Sequence, residues 1–424
     1  MNASPSDRPN SHVSHPVALA ALLAGLAMFG PFTIDAFFPA FHAIADDLQA
    51  SPLQMQQTIS LYLLGYALMA LLHGPLSDAY GRRQIILYGV IAYTLSSVGC
   101  ALANNIETLL VFRFLQGCST GAGMIVGRAL VRDLYQGAEA QRVMAMISMF
   151  FGIAPAIAPV IGAMIFTVSN WHAVFLFLVG YGLVLWLLCL RLLPETHPPS
   201  QRSKFRPLPL LHTYVGIMRD WRFLLLVVAA SGNFGAQFLY ISSAPSYVER
   251  FLGLGSFGYA WFFVPMIGGM TLGSFASSRL AARISPEACA QRGYVIMAAA
   301  MALNMAYNLI DHTPNVPWAV IPNFLYAFGV ALAFPPMNLL MLDRHPHHRG
   351  SASSVQAFGS GLIMAFVSGI AVGFVLKSAL HLAIGALVLF LLGWLAWWLY
   401  LRHTPESAQP VPVAHPPDGD EVPI

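Results

Sequence analysis

Two ionisable residues stand in surroundings where hydrocarbon would penalise them. Asp35 ends a charge-free stretch that begins at Pro16, and Arg113 follows the apolar run Leu109-Leu110-Val111-Phe112. A charge at mid-bilayer costs at least about 2.5 to 3.5 kcal/mol on insertion scales, so such a residue persists where protein buries it or function uses it. An acid and a base at one depth can couple proton movement to conformation. Asp35 would take up a proton outside and release it inside, with Arg113 favouring the ionised acid when near and releasing it when withdrawn. The bland alternatives are a wetted interfacial carboxylate at Asp35 and an Arg113 that snorkels to the headgroups.

Other polar residues recur at helical spacing. Asn233, Gln237 and Tyr240 lie at i, i+4 and i+7, Arg113, Gln116 and Thr120 repeat that geometry, and Tyr62 pairs with Tyr66. Each set forms one stripe that should avoid lipid. The stripes either line a shared cavity or bind neighbouring helices, a use worth about 0.6 kcal/mol per bond. Pro155 and Pro159, with Gly152 and Gly162, would weaken a helix ladder and permit close packing. Histidines 345, 347 and 348 cluster beside Asp343, but Pro346 and a solvated loop argue against a preformed metal site. No metal and no cofactor are expected.

The elements that position these residues follow from composition. Of 424 residues, 57% are hydrophobic and 9% charged, against roughly 25% charged in soluble domains. The net charge of +3 is scattered, which excludes a nucleic-acid footprint. Neither lysine, Lys204 or Lys377, follows a glycine, so no phosphate loop exists and transport must draw on a gradient. No H-E-x-x-H speaks for an enzyme. The four cysteines, Cys100, Cys118, Cys189 and Cys289, lack zinc or disulfide spacings and read as unpaired thiols.

A bilayer-spanning helix needs roughly 20 apolar residues. That ruler gives twelve spans, near 17–40, 55–77, 84–103, 109–131, 143–167, 171–193, 223–247, 257–280, 292–311, 316–341, 352–375 and 379–401. The expected fold is an all-α membrane protein of two pseudo-symmetric six-helix bundles. The first run continues past any cleavage site and is a retained helix. Arginines crowd one set of connections, among them Arg82, Arg83, Arg132, Arg142, Arg202, Arg279, Arg344 and Arg349, while the other set holds Asp46, Asp47, Glu107 and Asp311. The positive-inside rule then places both termini in the cytosol. Span 1 runs outward and span 4 inward, which puts Asp35 and Arg113 within roughly 10 Å of the outer surface and able to meet.

Prolines 194, 198, 199, 207 and 209 mark a linker at 194–222 between an N-terminal bundle, 1–193, and a C-terminal bundle, 223–402. The halves echo each other: Arg113-Phe114-Leu115 aligns with Asn323-Phe324-Leu325, and Asp133 with Asp343. Internal duplication of this kind underlies many secondary transporters. Residues 403–424 hold too little apolar content to fold.

Between spans 2 and 3 the chain reads Gly74-Pro75-Leu76-Ser77-Asp78-Ala79-Tyr80-Gly81-Arg82-Arg83. Plain positive anchors would not need Asp78. A cytoplasmic gate would, with Asp78 facing the N-terminus of span 11 near Ser351, where the helix dipole rewards a carboxylate, and Arg82 pairing with Asp133. Fixed positions Gly74, Leu76, Asp78, Gly81, Arg82 and Arg83 resemble the loop signature of the major facilitator superfamily. Gly30-Pro31-Phe32-Thr33-Ile34-Asp35, Arg113-Phe114-Leu115-Gln116-Gly117, Val131-Arg132-Asp133-Leu134-Tyr135 and Leu193-Pro194-Glu195-Thr196 resemble the Bcr/CflA group of bacterial drug exporters. That resemblance implies a proton-coupled antiporter of the inner membrane, with proton carriage at Asp35, a coupling arginine at Arg113 and an antiporter motif in span 5. The chain departs from it at Ala158-Pro159-Val160-Ile161-Gly162-Ala163, where two glycines have become alanines, and at Ser277, where a second copy of the loop signature would carry aspartate. Ala27 stands where some such exporters carry a second acid, which favours neutral or weakly polar cargo.

The leading expectation is therefore export of small hydrophobic or amphiphilic compounds by a proton-driven monomer that alternates access. The competing one is proton-coupled transport of a particular nutrient or metabolite, such as a sugar or nucleoside.

Overall fold

The computed structural model describes residues 16–403 apart from Ser256, Ala282 and 311–313. The polar N-terminal stretch through residue 15, Asp311 and the tail beyond His403 thus lie outside the described residues. Twelve helices are long and apolar enough to cross a membrane: α1 Val17–Asp47, α2 Pro52–Tyr80, α3 Arg82–Ala101, α4 Ile106–Leu134, α5 Glu139–Val168, α6 Trp171–Leu192, α7 Trp221–Ser242, α8 Tyr259–Leu280, α9 Pro286–Ile310, α10 Trp318–Asp343, α11 Pro346–Val375 and α12 Ala379–His403. All twelve expected spans are present.

Two expectations about continuity need correction. α1 runs beyond residue 40 but in pieces, with α-helix at Phe29–Asp35, a 3-10 turn at Phe38–Ala40 and α-helix again at Phe41–Asp47. Pro39 in that turn brings no backbone donor, which is why the ladder breaks just past Asp35. The segment 194–222 is also more ordered than a linker reading implies. It folds a helix at Pro207–Met218, whose Tyr214 hydroxyl donates to Leu71 O of α2 at 2.6 Å.

Lipid tails are as apolar as leucine, so helix association in a bilayer rests on close van der Waals approach across small residues. Gly65 of α2 faces Phe114 O of α4 with no room for a Cβ, and Gly269 of α8 faces Phe324 O of α10 in the same way. The aligned pair Phe114 and Phe324 thus receives an equivalent glycine crossing in each half, which supports the duplication. Gly162 of α5 abuts Ala36 O of α1 directly. The glycine that the altered motif of α5 retains is therefore the one that makes the tightest contact, while Ala158 and Ala163 are buried without strain. Pro155 and Pro159 sit inside the unbroken helix Gly137–Val168.

The two halves pack along α2 and α11, where Gly361 lies against Ala67 and Gly369 against Ser60, and they also meet at the end away from the arginine-rich loops. There Phe38 of α1 stacks on Phe263 of α8 with centroids 6.4 Å apart, and Tyr259 Oη lies 3.1 Å from Phe38 O and 2.9 Å from Glu249 Oε1. His42 Nδ1 is 3.0 Å from Glu249 Oε2, and Gln56 Nε2 donates to Ser242 O at 3.3 Å. At the basic end, Ser148, Met149, Phe150 and Phe151 of α5 are exposed in succession. Four consecutive residues cover a full helical turn, so no face of α5 is covered there. The molecule is closed at one end and open at the other.

The crossing at Gly162 sets a test of packing. Gly162→Ala forces α1 and α5 apart and should lower stability by about 1 to 3 kcal/mol, the usual cost of overpacking. Gly152→Ala, where a Cβ meets nothing within 4 Å, should be neutral or stabilising. Thermal melting of the two variants in detergent checks this, and equal melting temperatures would contradict it.

Candidate functional site

Arg113 is fully buried and its donors are aimed at backbone. Nε donates to Thr58 O of α2 at 3.0 Å, and Nη1 donates to Thr33 O of α1 at 3.0 Å and to Gln116 Oε1 at 2.9 Å. Its guanidinium lies over the rings of Phe37 and Tyr62, 4.6 and 4.9 Å from their centroids. A planar, delocalised cation suits such stacking. Nη2 has no partner. The residue does not snorkel to the surface; it ties α1, α2 and α4 together.

Asp35 is also buried, at 3% exposure, and its Oδ1 has no partner. The expected meeting of Asp35 with Arg113 is absent from this conformation, since no ion pair joins them among the described residues. Arg113 is held instead by the Thr33 carbonyl and the Phe37 ring, on either side of Asp35 in sequence. Asp35 lies three residues before Phe38, which touches α8 of the other half.

The polar stripes make their bonds within their own bundles, the second of the two uses their spacing allows. Gln116 Nε2 donates to Ser97 Oγ of α3 at 2.8 Å, so this amide is consumed between α3 and α4. Gln237 Nε2 donates to Asn323 Oδ1 at 2.6 Å, and Tyr240 Oη accepts from Asn304 Nδ2 at 2.8 Å. Asn233 packs against Gly393 of α12. These α7 residues face α9, α10 and α12 around a void of about 10 Å³ lined by Tyr240, Asn304, Asn323 and Tyr326. Tyr62 stays beside Arg113 with its hydroxyl unpartnered, and half-buried Tyr66 lies near Gly121 of α4.

The loop between α2 and α3 is clasped by the segment after α6. Gly81 ends α2 at φ +103°, a backbone that favours glycine. Arg82 pairs with Asp78 one turn back, and its Nε lies 3.2 Å from Asp133 Oδ2 as expected. Its backbone N–H donates to Glu195 Oε1 at 3.0 Å, while Thr196 Oγ1 donates to Asp133 at 2.9 Å. Arg83 caps α6, donating to Leu193 O at 2.9 Å and Leu190 O at 2.8 Å. Among the described residues no hydrogen bond joins Asp78 to Ser351; Arg82 holds its carboxylate instead. Gly74 faces open space.

Sequence reasoning missed two constellations. One is the His42, Glu249 and Tyr259 group at the closed end. The other is at the basic end, where Arg344 donates to Asp220 through Nε at 2.7 Å and Nη2 at 3.0 Å, tying the end of α10 to the start of α7. Asp220 also caps α7, accepting from Arg222 N and Phe223 N. Its place before an apolar run was a readable N-cap signal; its partner 124 residues away was not. His345 Nε2 lies 3.4 Å from the same carboxylate. Among the described residues, no three metal-ligating side chains converge.

The sequence profile of the Major Facilitator Superfamily matches residues 17–369. The chain belongs to that superfamily. It is a multi-pass membrane transporter, and superfamily relatives include drug-resistance proteins. The bicyclomycin resistance protein homolog of Haemophilus influenzae is 29% identical over 355 residues, covering 80% of this chain and 85% of that protein. The chloramphenicol resistance protein of Pseudomonas aeruginosa is 27% identical over 353 residues, 82% of each chain. Among solved structures, a D-xylose-proton symporter superposes with a TM-score of 0.72 over 93% of this chain and 99% of its own, at 16% identity, a likeness of fold.

The Asp220–Arg344 clamp carries a pH signature. Burial pushes the Asp220 carboxyl up, but Arg344 and the α7 backbone donors outweigh it and hold the group below its ordinary value. A depressed carboxyl gives stability that is present above the unfolded value, near 3.9, and lost as pH falls through the folded one. Asp220→Asn keeps an N-cap side chain and loses the ion pair, so it should cost about 0.5 to 1 kcal/mol at neutral pH. Melting curves from pH 7 to pH 3 should show that gap narrowing only at the acid end; a gap constant over the range would refute the assignment.

Proposed function

We propose that the protein exports small hydrophobic or amphiphilic compounds, antibiotics among them, in exchange for protons, as a Bcr/CflA-type antiporter of the bacterial inner membrane. The observation that carries this reading is Asp35, a buried carboxyl with an unpartnered oxygen three residues before Phe38, where α1 meets the other half. A buried charge needs a partner, and the partner this one lacks is a proton. The drug-resistance relatives support the cargo class.

The cycle follows from the geometry. With the arginine-rich loops and both termini in the cytosol, the closed end faces outward and this conformation opens inward. Cargo enters among the exposed aromatic and methionine side chains of α5. Rocking one half against the other then breaks the contacts of Phe38, His42 and Gln56, wets Asp35 from outside and lets it take up a proton. Return to the present state exposes the proton to the cytosol. Arg113 is the fixed element: held by two backbone carbonyls, it keeps α1 and α2 in register with α4. No cofactor enters, the energy is the proton gradient, and one chain suffices because its two halves enclose the path.

Asp35→Asn cannot exchange a proton. In inverted vesicles energised to an acidic interior, adding a substrate drug should release protons from wild type and release none from the variant, while drug binding persists. Host cells expressing the variant should lose at least about tenfold of the protection that wild type gives against a toxic-compound panel, the effect of about 1.4 kcal/mol of coupling. Full proton exchange in Asp35→Asn would end the proposal, and protection against no compound together with gradient-driven uptake of a sugar or nucleoside would establish the competing reading.

A further inference from the structure

On the outer surface of the C-terminal half, where α9 begins and α12 ends, the helices leave a groove of about 360 Å³ lined by Glu287, Gln291, Trp394, Trp397, Trp398 and Leu401. It lies outside the path assigned above. The groove is graded along its length. Glu287 stands in the first turn of α9 and Arg402 in the last turn of α12, with the Arg402 guanidinium 4.8 Å from the Trp398 ring centroid, so a carboxylate and a cation flank the mouth at the basic end. Trp394 lies eight residues earlier on α12, about 12 Å deeper toward the bilayer centre. Trp397 is fully buried and donates Nε1 to Gln291 Oε1 at 2.9 Å, which fixes the floor of the groove with Gln291 in its lining. Trp394 and Trp398 are half-exposed, with no protein covering them.

A charged mouth of both signs over an aromatic depth is complementary to one kind of molecule: an amphiphile whose head carries an anion and a cation together. We propose that this groove binds a zwitterionic aminophospholipid of the adjoining leaflet. Its phosphodiester meets Arg402 and Gln291 as charge-assisted hydrogen bonds, its primary ammonium donates to Glu287, and an acyl chain lies along Trp394 and Leu401. The carboxylate gives selectivity, because a primary ammonium donates hydrogen bonds and a quaternary choline cannot. This site is independent of what the transporter carries.

The test uses the full chain reconstituted in phosphatidylcholine vesicles, titrated with phosphatidylethanolamine or phosphatidylcholine whose acyl chains are brominated to quench tryptophan. Subtracting the signal of Trp394→Phe isolates the groove from the other tryptophans. Wild type should favour the ethanolamine lipid about three- to fivefold, the range of an exposed ion pair. Glu287→Gln should bring the ratio to one, and Arg402→Gln should weaken both lipids while preserving it. Equal binding of the two lipids to wild type, or a preference that survives Glu287→Gln, overturns the proposal.

Discussion

A guanidinium in a dry bundle must find acceptors, and Arg113 finds them in the carbonyls of Thr33 and Thr58. That constraint organises the N-terminal half. Neither carbonyl is free for an unperturbed helix ladder to monopolise, since each has a second lone pair that a neighbouring donor can use. By drawing on α1 and α2 at once, Arg113 fixes the height of one against the other, and the stacked rings of Phe37 and Tyr62 fix the angle. The glycines at 65 and 117 follow from the same demand: α2 and α4 must approach to backbone contact for a side chain on one to reach the carbonyls of the other.

Much of this was legible in the sequence, and the limits have physical causes. The twelve spans, the break between bundles and the depth of Asp35 and Arg113 follow from the cost of polarity in hydrocarbon, which any apolar run displays. The partners of polar residues do not. A stripe such as Asn233, Gln237 and Tyr240 states which face avoids lipid, yet a helix in a bundle has two protein-facing directions, toward its neighbours and toward the shared path. α7 uses the first, and only the positions of Asn304 and Asn323 decide it. Similarly, Arg82 can satisfy Asp78 or Asp133, and it satisfies both because Gly81 turns the chain back on itself.

The halves repeat in backbone and differ in charge. Asn323 occupies the place of Arg113 and accepts from the Gln237 amide through Oδ1, and Ser277 lies buried where the first half places Asp78. At these two positions the C-terminal bundle has neutral side chains where the N-terminal one has ionic ones, and it keeps the glycine crossing at Gly269.

Asymmetry of this sort bears on how a proton site could be coupled to shape. Asp35 lies three residues before Phe38, and Phe38 closes against Phe263 while its carbonyl meets Tyr259. Separation of those groups cannot occur without changing what surrounds Asp35 three residues away. The His42, Glu249 and Tyr259 contacts and the Gln56 bond to Ser242 span the same junction, so they part together or not at all. A junction that opens as a unit has two states and few between, and an acid set one turn beneath it is dry in the first and wet in the second. Coupling then needs no direct bond from Asp35 to Arg113 in the closed state; it needs only that Arg113 hold α1 rigid enough for the seal to govern the acid.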